Sequence, residues 1–273
     1  MGKFIRIWSK NRRKILTLDK KERFAIQTTL LTAGLLVTQF IWEDYRFAMV
    51  VILAVLSYAL TAWSLKEDIK GIEWLLLFIL PVMYVASLSL FYFLLPNRLF
   101  TKFIMTVLFS IGIYAILRIE NIYNVAAVRS IQLLRVAQSV GLLLTLVIIY
   151  LSSNILYSLR LPYWLNMFMI LPLVFILALQ SLWSINLESK FSQAIIIYSG
   201  IVTLIMGELA VVLSFWPVQN SLYSLVMAAC YYAFVGLIQQ YLQDKLFKNV
   251  ISEFILGFIF AVFLILLTSK WGG

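Results

Sequence analysis

No histidine occurs anywhere in the sequence, and Cys230 is its single cysteine. Without a second cysteine no disulfide forms within the chain, and without histidine or paired cysteines the common metal sites have no ligands. Intramembrane metalloproteases, rhomboid-type serine proteases, and acyltransferases or lipid phosphatases that work through histidine lose a residue their chemistry requires. No other side chain titrates near neutrality without heavy perturbation. Walker-type and dinucleotide-type glycine patterns are missing as well, as is any Gly-x-x-x-Gly that would mark a helix-pairing face. These absences leave no catalytic set, no metal site and no cofactor to assign, and nothing calls for nucleic acid as a partner. Charged residues are only 12% of the chain, too few to clothe a soluble domain.

What fills the chain is apolar: 63% of its 273 residues are hydrophobic and the mean hydropathy is +0.97. Crossing a hydrocarbon layer of about 30 Å takes roughly 17 to 25 such residues. Windows of that length recur at residues 23–42, 47–65, 72–95, 99–117, 133–159, 163–183, 192–215, 218–242 and 250–268. The predicted fold class is therefore all-α, a polytopic transmembrane bundle of about nine spans. The breaks are too short for a separate soluble domain, so residues 23–273 read as one transmembrane domain.

Orientation follows from the basic residues, which gather in short cytoplasmic loops. Alternating the spans from a cytoplasmic start puts seventeen of the 22 Lys and Arg residues inside. Arg46, Arg98, Lys102, Arg160 and Lys270 fall outside. The expectation is a multi-pass protein of the cell membrane, amino terminus cytoplasmic and carboxyl terminus outside. Residues 1–22 form a basic cytoplasmic segment in which Phe4, Ile5, Ile7, Trp8, Ile15, Leu16 and Leu18 alternate with lysines and arginines. That pattern is a topology signal, and it also suits a helix lying on anionic headgroups. Membrane lipids, anionic on the cytoplasmic face, are the partners this implies. A cleavable signal peptide is not expected, since a full span follows and no small-residue cleavage site does.

One acidic group lies well inside a span: Glu208, in Ile205-Met206-Gly207-Glu208-Leu209-Ala210. An intramembrane carboxyl is costly, and so a candidate proton or cation site, or a packing group that faces the bundle. At 1.5 Å per residue it sits roughly 10 Å below the outer end of its span. Lys102, one turn into the fourth span, reaches the same depth, which suggests a Lys102–Glu208 pair.

A second constellation runs from Glu120 to Ser139. On a helical wheel Asn121, Asn124, Gln132, Arg135, Gln138 and Ser139 share one side, while Ile122, Tyr123, Ala126, Leu133, Leu134 and Ala137 share the other. This is an amphipathic helix leading into the fifth span. It either lies at the cytoplasmic lipid boundary or turns its polar stripe inward. In the second case Arg129 and Arg135, with Gln132, Asn124 and Glu120, form an anion or lipid-headgroup site. The Glu-Asn-Ile start and the run Arg-Ser-Ile-Gln-Leu-Leu-Arg resemble a stretch of uncharacterised multi-span membrane proteins from bacteria with reduced genomes. That likeness implies no activity.

Two further likenesses concern the acids. The helix number is similar to that of prenyltransferases of the UbiA type, but their two aspartate-rich motifs are absent here. The Glu43-Asp44 pair resembles the acidic pair in the first outer loop of polyprenol-dependent glycosyltransferases, yet in this chain it sits in a tight turn. Prolines add one more pattern: Trp74-Leu-Leu-Leu-Phe-Ile-Leu-Pro81-Val-Met and Trp164-Leu-Asn-Met-Phe-Met-Ile-Leu-Pro172-Leu-Val each place a proline near mid-span. Pro81 and Pro172 are predicted kinks, and their spans run in opposite directions as an inverted repeat requires. Trp42, Trp63, Trp164, Trp183, Trp216 and Trp271 fall where an interfacial aromatic belt belongs.

The first expectation for function is a non-enzymatic accessory or assembly protein of the membrane. The second is a small secondary transporter with an intramembrane carboxylate. The third is a lipid-linked transferase using Glu43 and Asp44.

Overall fold

In lipid no water completes the backbone, so a spanning segment must satisfy its own N–H and C=O groups, which a helix does. The computed structural model describes residues 19–38, 45–65, 71–95, 98–126, 132–188 and 192–268. Among these residues there is no strand, and there are nine helices: α1 (Lys20–Thr38), α2 (Arg46–Leu65), α3 (Glu73–Leu94), α4 (Leu99–Ala126), α5 (Leu134–Ser158), α6 (Tyr163–Asn186), α7 (Gln193–Ser214), α8 (Asn220–Leu242) and α9 (Lys248–Thr268). Eight of them, α2 to α9, are long and apolar enough to cross a membrane. The first turn of α1 carries Lys20, Lys21, Glu22 and Arg23, which sets it apart by composition. The basic segment at 1–18, the Glu43-Asp44 pair, Arg129, Trp42 and Trp271 lie outside the described residues.

The helices alternate in direction. Gln27 meets Thr61 and Ser64 while Gly34 meets Leu53, so α1 and α2 are antiparallel. Asn166 meets Ser214 while Leu171 meets Gly207, so α6 and α7 are too. One end of the bundle, here the basal end, thus holds the start of α1 and the junctions α2–α3, α4–α5, α6–α7 and α8–α9. The first four helices meet the last five where α3 packs on α5 and α6 and where α4 packs on α5. At that joint the Ser87 and Ser152 hydroxyls hydrogen-bond at 2.7 Å.

The core is built from the inner faces of these helices, with Leu77, Ile113, Ile148, Leu177, Trp183 and Tyr231 fully enclosed. The outer faces are apolar as well: α9 exposes Leu256, Ile259, Phe260 and Phe263. An apolar exterior around an apolar core is the pattern of a protein dissolved in lipid.

Both α3 and α6 continue as helix through their prolines, with Pro81 buried and Pro172 exposed. One detail corrects the sequence reading. Trp183 belongs to the core and not to an interfacial belt, its indole N–H donating to the Glu188 carbonyl at 2.9 Å. Trp164 is exposed, as a belt residue should be.

Candidate functional site

Helix α4 is longer than its apolar run. It continues past Arg118 to Ala126, 28 residues in all, because the charge at 118 turns outward. There the Arg118 guanidinium lies 5.8 Å from the Tyr114 ring centroid and donates to the Tyr114 hydroxyl at 3.4 Å. The extension carries Glu120, Tyr123 and Asn124 on one face, spaced three and four residues apart, and that face turns into the bundle. Glu120 has no exposed surface. It lies about 9 Å, six residues, from the basal end of α4.

From α6, Gln180 donates its Nε2–H to Glu120 Oε1 at 2.6 Å. Glu120 Oε2 has no partner, nor have Gln180 Oε1 and Asn124 Oδ1, all three buried. The amide of Asn124 donates to the Leu65 carbonyl at 3.3 Å, tying the basal ends of α4 and α2 together. Tyr123 donates to the Ala137 carbonyl of α5 at 3.0 Å. Gln138 of α5 donates to the Ser184 carbonyl at 2.8 Å, and Gln239 of α8 donates to the carbonyl and hydroxyl of Ser181 at 3.0 Å each. A single polar layer therefore links α2, α4, α5, α6 and α8 near the basal end.

Beside this layer is a cavity of about 10 Å³ lined by Leu80, Tyr123, Gly141, Leu142, Thr145, Gln180, Ser181 and Ser184. That volume holds roughly one water. A Cβ at position 141 would stand 2.5 Å from the Tyr123 hydroxyl, so any larger residue there would displace Tyr123. The chemistry of the layer follows from its oxygens. A carboxylate buried without a counter-charge costs about 3 kcal/mol or more in a membrane. A proton, a cation or a water on the free oxygen relieves that cost.

The residues singled out from the sequence are distributed differently. Asn124 and Glu120 come together as described, while Gln132 and Arg135 are exposed at the junction and the start of α5. The helix expected over 120–139 is not continuous: α4 ends at Ala126, and Gln132 and Leu133 form a turn before α5 begins. Glu120 is buried in the bundle, whereas Arg135 is exposed. Glu208 is exposed on the outer face of α7, in line with Ile201, Leu204 and Phe215. Lys102 is half-buried at the start of α4, and among the described residues the two form no ion pair. Equal depth did not bring a shared direction: Met206 and Gly207 take the buried face of α7, with Gly207 against Leu171 of α6, and the next residue is rotated outward.

Gln138, Tyr123, Gln180, Ser181, Ser184 and Gln239 were not singled out as site residues from the sequence. The available signal was Gln180-Ser181 and Ser184 inside the otherwise apolar run Leu177-Ala178-Leu179-Gln180-Ser181-Leu182-Trp183-Ser184. A polar stripe at helical spacing within a span faces protein and not lipid.

The model of a family described as Protein of unknown function (DUF5656) matches residues 24–269. That description carries no source, so the likeness to proteins of reduced-genome bacteria stays a resemblance. No curated protein and no solved structure matches the chain.

Proposed function

Because the chain belongs to the DUF5656 family, whose description assigns no activity, we propose a role from its own geometry: a small secondary transporter of the cell membrane in which Glu120 is the coupling carboxyl. The amino terminus is cytoplasmic in this reading, which the bias of Lys and Arg toward alternate breaks of the sequence supports. One observation carries the proposal. Glu120 is fully enclosed, a single amide meets one of its oxygens, the other oxygen is free, and its partner Gln180 lines a water-sized cavity beside the layer. The layer also sits at the joint between the first four helices and the last five, since Glu120 belongs to the first group and Gln180 to the second. Small shifts of one group against the other would open or close the path of water to the carboxyl, as alternating access requires.

The test is access of a membrane-impermeant thiol reagent in sealed vesicles, with Cys230→Ala as background. Glu120→Cys and, with the carboxyl left intact, Thr145→Cys are the probes. Labelling of either from one side supports the transporter. Protection of both from both sides makes the layer a packing device and removes the proposal.

A second reading, a non-enzymatic accessory protein held to anionic lipid, is favoured by the exposure of Arg135 and Lys248 at the basal end. It requires no water at Glu120, so the same labelling separates the two.

A further inference from the structure

The end of the bundle remote from Glu120 holds a second polar feature that none of the readings above uses. A cavity of about 340 Å³ opens there between α5, α6, α7 and α8, lined by Leu156, Tyr157, Arg160, Leu161, Asn166, Ser214, Val218 and Asn220. Three of its properties bear on what it holds.

The first is charge. Arg160 is exposed at the α5–α6 turn, its backbone in the left-handed region at φ 49°. Its guanidinium forms no hydrogen bond or ion pair among the described residues, and no acid lines the cavity. Two helices begin at the cavity, α6 just after Leu161 and Pro162, and α8 at Asn220. Their first N–H groups and dipoles add to the positive field of Arg160.

The second property is an unmet acceptor. Asn166 is 2% exposed. The Ser214 hydroxyl spends its proton on the Ala210 carbonyl at 2.6 Å and so accepts from Asn166 Nδ2 at 2.9 Å, which sets the way the amide faces; Nδ2 also donates to the Tyr223 hydroxyl at 3.1 Å. Asn166 Oδ1 is left buried without a partner. Leaving such an acceptor unsatisfied costs about 1–3 kcal/mol, so a donor from outside the protein is wanted there.

The third is rigidity. Tyr157 and Tyr223 stack with centroids 4.1 Å apart and planes 16° apart, and the Tyr157 hydroxyl donates to the Trp216 carbonyl at 3.3 Å. The wall beside Asn166 is thus held from both sides.

We propose that this cavity binds a small phosphate- or carboxylate-bearing group that also carries an O–H or N–H donor. Arg160 and the two helix starts take the charge, and Asn166 Oδ1 accepts from the donor. A phosphoglycerol unit has both parts, and it occurs free in water or as the headgroup of an anionic lipid. The site is independent of Glu120, which lies near the basal end of the bundle, so either proposal stands if the other fails.

The experiment uses the full chain in nanodiscs and follows thermal unfolding by tryptophan fluorescence. In phosphatidylcholine discs, glycerol 3-phosphate is added to the wild type and to Arg160→Gln, an exposed position whose replacement leaves the packing intact. In a second arm the discs contain phosphatidylglycerol in increasing fraction. A saturable rise of the melting temperature with glycerol 3-phosphate, weakened about tenfold or more in apparent affinity by Arg160→Gln, identifies a water-soluble ligand. A rise only with phosphatidylglycerol, again diminished in the variant, identifies a lipid headgroup. No saturable rise in either arm, or equal rises in wild type and variant, overturns the proposal.

Discussion

At Gly112 a hydrogen atom is all the space allows. A Cβ there would run into the hydroxyl and ring of Tyr84, and that hydroxyl is not free to swing away, since it donates to the Leu108 carbonyl of α4 at 2.9 Å. Small residues let membrane helices approach closely, and here the approach also delivers a side-chain hydrogen bond. Gly112→Ala is therefore expected to lower stability by about 1–3 kcal/mol, and Tyr84→Phe by about 1 kcal/mol. The double variant should lose less than the sum, because removing the hydroxyl removes part of the clash. Thermal unfolding of the four detergent-solubilised proteins measures this, and strict additivity would mean that the two residues do not press on each other. Neither contact was legible in the sequence. Gly112 is one of 11 glycines and Tyr84 one of 14 tyrosines, and only the α3–α4 packing selects them. Glu120 was legible as a candidate, but its partner Gln180 is 60 residues away in the chain.

Among the elements, α1 separates composition from packing. It falls short of a span by its charged first turn, yet Phe24, Gln27, Leu31, Leu35 and Thr38 are buried along its whole length. The Gln27 amide lies 2.7 Å from both the Thr61 and Ser64 hydroxyls of α2. A polar contact of this kind between neighbouring helices is suited to a membrane interior, and it sets α1 beside α2 at matching height. Nineteen residues extend about 28 Å, close to the hydrocarbon thickness. With α1 as a ninth span the two termini lie on opposite sides. Reporters fused to each end of the full chain, one kind active only in the cytoplasm and one only outside it, are expected to give opposite answers. The same answer at both ends would leave α1 out of the membrane. The positions of α2, α3 and α5 to α9 were readable from apolar runs because lipid imposes both length and composition. The end of α4 was not, since Arg118 and Glu120 interrupt the run while their side chains point in opposite directions, one to the surface and one to the core.

Across the whole molecule, buried polar groups tie neighbouring helices together, both within the first four helices and the last five and where these two groups meet. Ser87 and Ser152 join α3 to α5, and the layer containing Glu120, Gln180, Ser181 and Gln239 joins α4, α6 and α8. The all-α bundle was foreseeable, because apolar windows of span length admit only a helical solution or a closed barrel. Which acid would be enclosed was not. Depth along a span can be counted from the sequence, whereas the direction of a side chain depends on neighbours far along the chain, and so Glu208 came to the surface and Glu120 to the interior.

The central claim is that the Glu120 carboxyl, though fully enclosed, exchanges with water through the small cavity beside its layer. Infrared difference spectroscopy of the wild type and Glu120→Gln in nanodiscs, on switching from H₂O to D₂O, tests it directly. The predicted result is a protonated-carboxyl band in the wild type, missing from Glu120→Gln, that shifts as the buffer is exchanged. A Glu120 band that stays unshifted while the folded protein remains in D₂O, or wild-type and variant spectra that do not differ, would contradict it.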